Sequence, residues 1–253
     1  DPLLFHFDTL TIILVFMVAL FAGIVKGIVG FAMPTILISG LSMVISPDLA
    51  LAGLLLPTLL TNGVQALGQG INAARASLIK FKGFLIVGAI FLLASSQLVP
   101  LIPMDMMFGY LGVLVVTLSL IQMSGWQIPV GKGRLGTIVM GAIAGFTGGL
   151  SGVWGPPTVA YLTALNTEKS EQIRVQGVIY GLGAVLLVLA HVTSGILTKS
   201  TAIFSASLLG PALVGLYVGS RIRNRIDQRR FKLATLAVLF IAGCNLIRRA
   251  WFA

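Results

Sequence analysis

Charge is scarce in this chain. Of 253 residues, only 9% are Asp, Glu, Lys or Arg, against about 25% in an ordinary soluble domain. With 57% hydrophobic residues and a mean hydropathy of +1.02, the chain carries more apolar surface than a soluble core can hide. Cysteine is nearly absent: Cys244 stands alone, which excludes a disulfide framework and a cysteine-based metal site. The two histidines, His6 and His191, are too far apart for a metal cluster. No Asp or Glu lies deep in an apolar run, so a carboxylate-based proton or sodium site is missing as well. There is no Walker loop, and the glycine runs follow apolar helical stretches rather than strands, which argues against nucleotide binding. The short alternating patterns of a transmembrane β-barrel are also lacking.

What is present is length without charge. Uncharged intervals run over 9–25, 27–47, 49–74, 83–104, 106–131, 135–167, 175–198, 200–220 and 233–247. A helix needs about 20 apolar residues to cross a bilayer, so most intervals hold one crossing, and 135–167 holds a crossing plus a shorter segment. Acidic Asp1 to Asp8 gives no cationic start for a cleaved signal peptide; the first apolar stretch is expected to be a retained helix that begins outside.

Lys and Arg outnumber Asp and Glu by 17 to 7, a net charge of +10. The cations cluster as Arg75, Lys80, Lys82; Lys132, Arg134; Lys169, Arg174; and Arg221, Arg223, Arg225, Arg229, Arg230, Lys232. Placing all four groups in the cytoplasm accounts for 13 of the 17 cations and leaves Asp1, Asp8, Asp48 and Asp105 outside. The run at 221–232 is then a topology determinant and an anionic-lipid contact rather than a nucleic-acid patch. Parity requires 135–167 to go in and come back, and its middle, Gly148-Gly149-Leu150-Ser151-Gly152-Val153-Trp154-Gly155-Pro156-Pro157, is rich in helix breakers.

The same break occurs earlier in the chain. Ala22, Gly23, Gly27, Gly30 and Pro34 recur, 122 residues later, as Ala144, Gly145, Gly149, Gly152 and Pro156. Two repeats follow, about 9–124 and 134–250, each with a broken hairpin and three full spans. An odd number of segments inverts the second repeat, and inverted repeats with interrupted helices mark transporters. Glycines four apart also let membrane helices pack closely, which explains Gly23/Gly27 and Gly141/Gly145 but not the prolines.

These paired Gly-rich, Pro-terminated breaks resemble the TauE/SafE (sulfite exporter-like) family of permeases. So does the run Gly210-Pro211-Ala212-Leu213-Val214-Gly215-Leu216-Tyr217-Val218-Gly219-Ser220-Arg221 before a basic loop. The similarity covers nearly the whole chain. It implies a membrane permease, not an enzyme, for small sulfur-containing or organic anions such as sulfite, sulfonates or sulfoacetate. Lys26 and Ile28 stand where the family usually has glycines.

An anion inside a membrane needs donors, and half-helix N-termini near Pro34 and Pro156 supply them, with Gly30 and Gly152 letting the backbone approach a ligand. Ser151 adds a hydroxyl. Trp154 walls the site or anchors at the interface. Lys26 is a counter-charge for the substrate or a lysine snorkelling to the interface. Asn62 and Gln65, one turn apart beside Thr61, contact substrate or bond neighbouring helices. Arg174 and Gln176 open the matching span of the second repeat, Arg174 serving topology or binding. His191 is the candidate for proton coupling.

The expectation is thus an all-α polytopic membrane protein, a single transmembrane domain over 1–253 with about eight transmembrane helices plus re-entrant hairpin segments. It is placed in a cell inner membrane with both termini outside. Its partners are a small anion and the lipid bilayer, with a homo-oligomer left open and no nucleic acid; no cofactor and no metal are expected. A passive anion channel and a non-transporting membrane scaffold are the alternatives. Reporter fusions after residues 76, 128, 168 and 226 should all report the cytoplasm; an external signal at 226 removes the parity argument for the hairpin.

Overall fold

A computed structural model describes residues 7–96, 104–125, 133–151, 155–193 and 196–252. Every regular element among them is a helix: α1 (Thr9–Val29), α2 (Met33–Leu41), α3 (Pro47–Leu67), α4 (Ile71–Lys80), α5 (Lys82–Ser96), α6 (Met104–Met123), α7 (Arg134–Ser151), α8 (Gly155–Ala164), α9 (Lys169–Thr193), α10 (Lys199–Ser207), α11 (Leu209–Arg225) and α12 (Gln228–Phe252). Five stretches are long and apolar enough to cross a membrane: Thr9–Val29, Asp48–Leu67, Lys169–Leu189, Lys199–Arg225 and Gln228–Trp251. The pair Ile71–Lys80 and Lys82–Ser95, bent by 68°, brings the count to six. Gly109–Met123 and Arg134–Thr147 are apolar but shorter, which leaves the described spans below the eight expected from charge spacing.

The chain divides into two compact units, Asp1–Ala74 with Ile173–Asp227, and Arg75–Gln172 with Gln228–Ala253. Neither unit is one of the sequence repeats; each takes helices from both.

In the first unit, Asp8 caps α1 by accepting from the Thr11 N–H at 3.3 Å, and Gly30 ends it in the left-handed region. After the break, α2 doubles back along α1. Val15, Ala19 and Ala22 share one buried cluster with Met33, Leu37 and Leu41, and Gly40 lies against Val18. At nine residues, α2 is too short to cross a bilayer. Pro57 interrupts α3, removing the N–H that would have served the Gly53 carbonyl; the Ser205 hydroxyl of α10 donates to that carbonyl instead, at 3.1 Å. Against its other side α1 receives α11. Gly23 meets Ala212 and Gly215, and Gly27 meets Leu216 and Gly219, so the two helices run parallel with their backbones in contact.

The second unit repeats the device. Gly141 packs on Phe84 and Gly145 on Gly88, and Ser95 donates to the Phe146 carbonyl at 3.0 Å, so α5 and α7 are also parallel. Helix α8 doubles back along α7, its Tyr161 hydroxyl 2.9 Å from that of Thr137 near the start of α7. Helices α6 and α12 are antiparallel: Gly109 faces Ala250, Gly112 faces Gly243 and Ile247, and Gly243 faces Val116.

The packing reading of Gly23, Gly27, Gly141 and Gly145 therefore describes what their missing side chains do. Gly27→Leu would drive its side chain into the Leu216 carbonyl and should destabilise the folded protein by about 1–3 kcal/mol or more. Gly63→Ala, in α3 with open space around it, should be neutral or stabilising by up to about 1 kcal/mol. Thermal unfolding of both variants in detergent checks the contrast.

Candidate functional site

The site is built on the end of α1. An α-helix leaves its last four carbonyls without partners, and water is not at hand to satisfy them in a bilayer. Here the Lys26 carbonyl accepts from the Gly30 N–H at 2.7 Å and from Gln65 Nε2 of α3 at 3.2 Å. The Gly27 carbonyl accepts from the Arg223 guanidinium of α11 at 3.0 Å. Gln176 of α9, its amide turned so that nitrogen faces carbonyl, donates to Val29 at 3.2 Å and to Gly30 at 3.1 Å. Three helices thus each deliver one donor to the same helix end.

The backbone of the break is unusual. Gly30 has φ +91°, and a Cβ there would overlap the Gln176 side chain. Ala32 has φ +74°, a conformation that costs a residue with a side chain about 1–2 kcal/mol. Pro34 lies in the first turn of α2, whose N-terminus has no side-chain cap.

Lys26 lies in the last turn of α1 and is 1% exposed. Its ammonium donates to Asn62 Oδ1, a neutral amide, and no carboxylate pairs with it among the described residues. The negative end of the α1 dipole favours the charge, and the positive end of α2 opens close by. The amine is turned inward, onto Asn62. Asn62, Gln65 and Thr61 line the facing side of α3, all buried, with the Thr61 hydroxyl 3.4 Å from Met33 Sδ. Gly177 of α9 lies against Gln65 and Ala66, and Gly181 against Asn62.

Lys26, Gly30, Asn62, Gln65 and Gln176 are thus brought together, with Pro34 a few residues away. Arg174 is not part of the cluster; it bonds Gln69 beyond the end of α3. His191 lies 15 residues past Gln176 on α9, about 22 Å along the helix at 1.5 Å per residue, and its Nδ1 is 2.8 Å from the Leu187 carbonyl of its own helix. Pro156 is buried in the first turn of α8, in the second unit. Ser151 ends α7, and Gly152 and Trp154 lie outside the described residues. Arg223 was assigned only to topology; nothing in its sequence context ties it to a carbonyl 196 residues away.

The second unit carries an open pocket of about 440 Å³, lined among others by Thr137, Tyr161, Asn166 and Glu168, with Lys80 and Glu171 paired at 2.7 Å. Glu168 sits at the start of α9. Burial raises its carboxyl, but hydrogen bonds from Ser170 and the Glu171 N–H, with Lys169 nearby, outweigh burial and hold it below the usual carboxylate range. Among the described residues no group of His, Cys, Asp and Glu is placed to hold a metal ion.

A family model described as Sulfite exporter TauE/SafE matches residues 15–246. No curated protein and no solved structure shows a match.

Replacing Asn62 with Leu strands a buried ammonium and should destabilise the protein by about 1–3 kcal/mol or more. Adding Lys26→Met to Asn62→Leu should recover most of that loss, because an apolar pair leaves no orphaned charge. A double-mutant cycle by thermal unfolding in detergent measures the coupling.

Proposed function

The chain belongs to the TauE/SafE sulfite exporter family, a family of membrane transporters, and from that premise we propose that it is a secondary permease for small sulfur-containing or organic anions, such as sulfite, sulfonates or sulfoacetate, working by alternating access in a cell inner membrane. The observation that carries the reading is the Lys26 ammonium: buried, bonded to a neutral amide, and set at a helix break between the negative end of α1 and the uncapped start of α2. A buried cation without a carboxylate is costly. A small anion beside it offsets that cost, and the first N–H groups of α2 are free of side-chain caps to meet the anion.

The repeats are inverted in this proposal, and helix directions support it. Helix α1 of the first repeat packs parallel to α11 of the second, and α7 of the second packs parallel to α5 of the first. Corresponding helices in inverted repeats cross in opposite directions, and α6 and α12 are antiparallel. Because α11 ends in Arg221, Arg223 and Arg225, the parallel α1 ends on the same basic side. With those cations in the cytoplasm, α1 begins outside and the Lys26 site opens toward the cytoplasmic end. One repeat rocks against the other around the bound anion. The chain passes between the units at 74/75, 172/173 and 227/228, each passage within a basic segment.

Proteoliposomes should take up labelled sulfite, thiosulfate or a small sulfonate with saturating kinetics. Lys26→Met should reduce that flux at least about tenfold, as loss of one buried charged contact does, while the protein stays folded. Flux that rises without saturating identifies a channel, and no flux in folded protein identifies a scaffold.

A further inference from the structure

The Lys26 site contains an acceptor as well as a cation, and the acceptor narrows what the site can take. Gln65 is 7% exposed. Its Nε2 must face the Lys26 carbonyl, since that carbonyl only accepts; turning the amide over would set two acceptors against each other. The orientation is therefore fixed by chemistry, and it leaves Gln65 Oε1 buried with no hydrogen-bond partner. Buried acceptors are nearly always satisfied, and one left open in a binding site points to a donor arriving from outside.

Charge sets the second limit. Among the described residues Lys26 is the only charged side chain that is fully buried. One buried ammonium balances one negative charge; a dianion would bring an excess charge into a low-dielectric site. The partner of the ammonium and the bearer of the open acceptor are neighbours on α3. Asn62, which holds the Lys26 amine, and Gln65, which holds the Lys26 carbonyl, are one helical turn apart on α3.

Resting on the permease reading above, we infer that Gln65 is a specificity determinant, and that the site favours small singly charged oxyanions that also carry an O–H donor, from which Gln65 Oε1 accepts a hydrogen bond. Hydrogen-bearing oxyanions and hydroxy-substituted sulfonates have this chemistry and are preferred over fully deprotonated dianions and plain alkyl sulfonates of the same size. A site built to hydrogen-bond a ligand donor discriminates strongly against the analogue that lacks it, because its own polar group is then left unpaired.

The test uses two probes with the same permanent charge and nearly the same size, 2-hydroxyethanesulfonate and ethanesulfonate, titrated calorimetrically into the purified full chain. The hydroxyl-bearing probe should bind at least about tenfold more tightly, the worth of one buried hydrogen bond. Gln65→Met, which keeps the volume and removes the acceptor, should erase the difference mainly by weakening the hydroxyl probe. If the methionine variant does not fold, Gln65→Asn withdraws the same acceptor by one methylene and should cut the ratio. Equal affinities in the unaltered protein, or a ratio that survives the loss of the Gln65 acceptor, overturn this inference and leave the permease reading standing. If neither sulfonate binds to folded protein, both fall together.

Discussion

Everything around the first break follows from the backbone carbonyls at the end of α1. A helix that ends where there is no water must have its last carbonyls satisfied by protein, since each one left open costs several kcal/mol. The end of α1 solves this with Gly30's own N–H and with Gln65, Arg223 and Gln176, one from each of three other helices. Those bonds also fix depth: α3, α9 and α11 are each pinned to the same level of α1. Lys26 then inherits its position. Its carbonyl is part of the capping scheme and its amine is held by the next polar residue of α3. In this arrangement, structure and site cannot be separated, because Gln65 both closes the backbone and presents its free oxygen.

Close approach of backbones makes that geometry reachable. In lipid the hydrophobic effect gives little reason for one apolar helix to prefer another, so packing and small residues decide the partners. Glycine lets α1 meet α11 and α7 meet α5 along two successive turns, and Gly112 and Gly243 do the same for α6 and α12. Short side chains such as Asn62, Gln65 and Gln176 can only span between helices that lie this close. Gly177 on α9, pressed against Gln65 and Ala66, brings Gln176 within reach of the break.

Much of this was legible in the sequence, and the rest was hidden for a physical reason. Helical class, the glycine spacing, the break before Pro34 and the polarity of Lys26, Asn62, Gln65 and Gln176, which the fold buries together, are local signals of period, breaker and misplaced polarity. The pairing of Ser205 with the carbonyl freed by Pro57, and of Arg223 with Gly27, joins residues 152 and 196 positions apart. No local pattern carries such information. The breakers also misled in one respect: Gly27 reads as part of the interruption, yet it is helical and packs on α11, and the chain turns only at Gly30. The grouping of helices from both repeats into each compact unit is likewise set by long-range packing and not by any local pattern.

The lysine itself is best understood as a member of the capping scheme, since its carbonyl accepts from Gly30 and Gln65 while its amine bonds Asn62. A lysine at that position can be buried only because three conditions hold together. It lies in the last turn of α1, where the helix dipole favours a cation. Asn62 accepts from its amine. And the break is at the basic end of a full-length span rather than at its middle, level with Arg223, where the cost of a charge is lower than at the bilayer centre. Each condition reduces the cost without cancelling the charge. A carboxylate in place of Asn62 would pair with the ammonium and neutralise it, whereas the neutral amide satisfies a hydrogen bond and leaves the positive charge in place, as the proposed anion site requires.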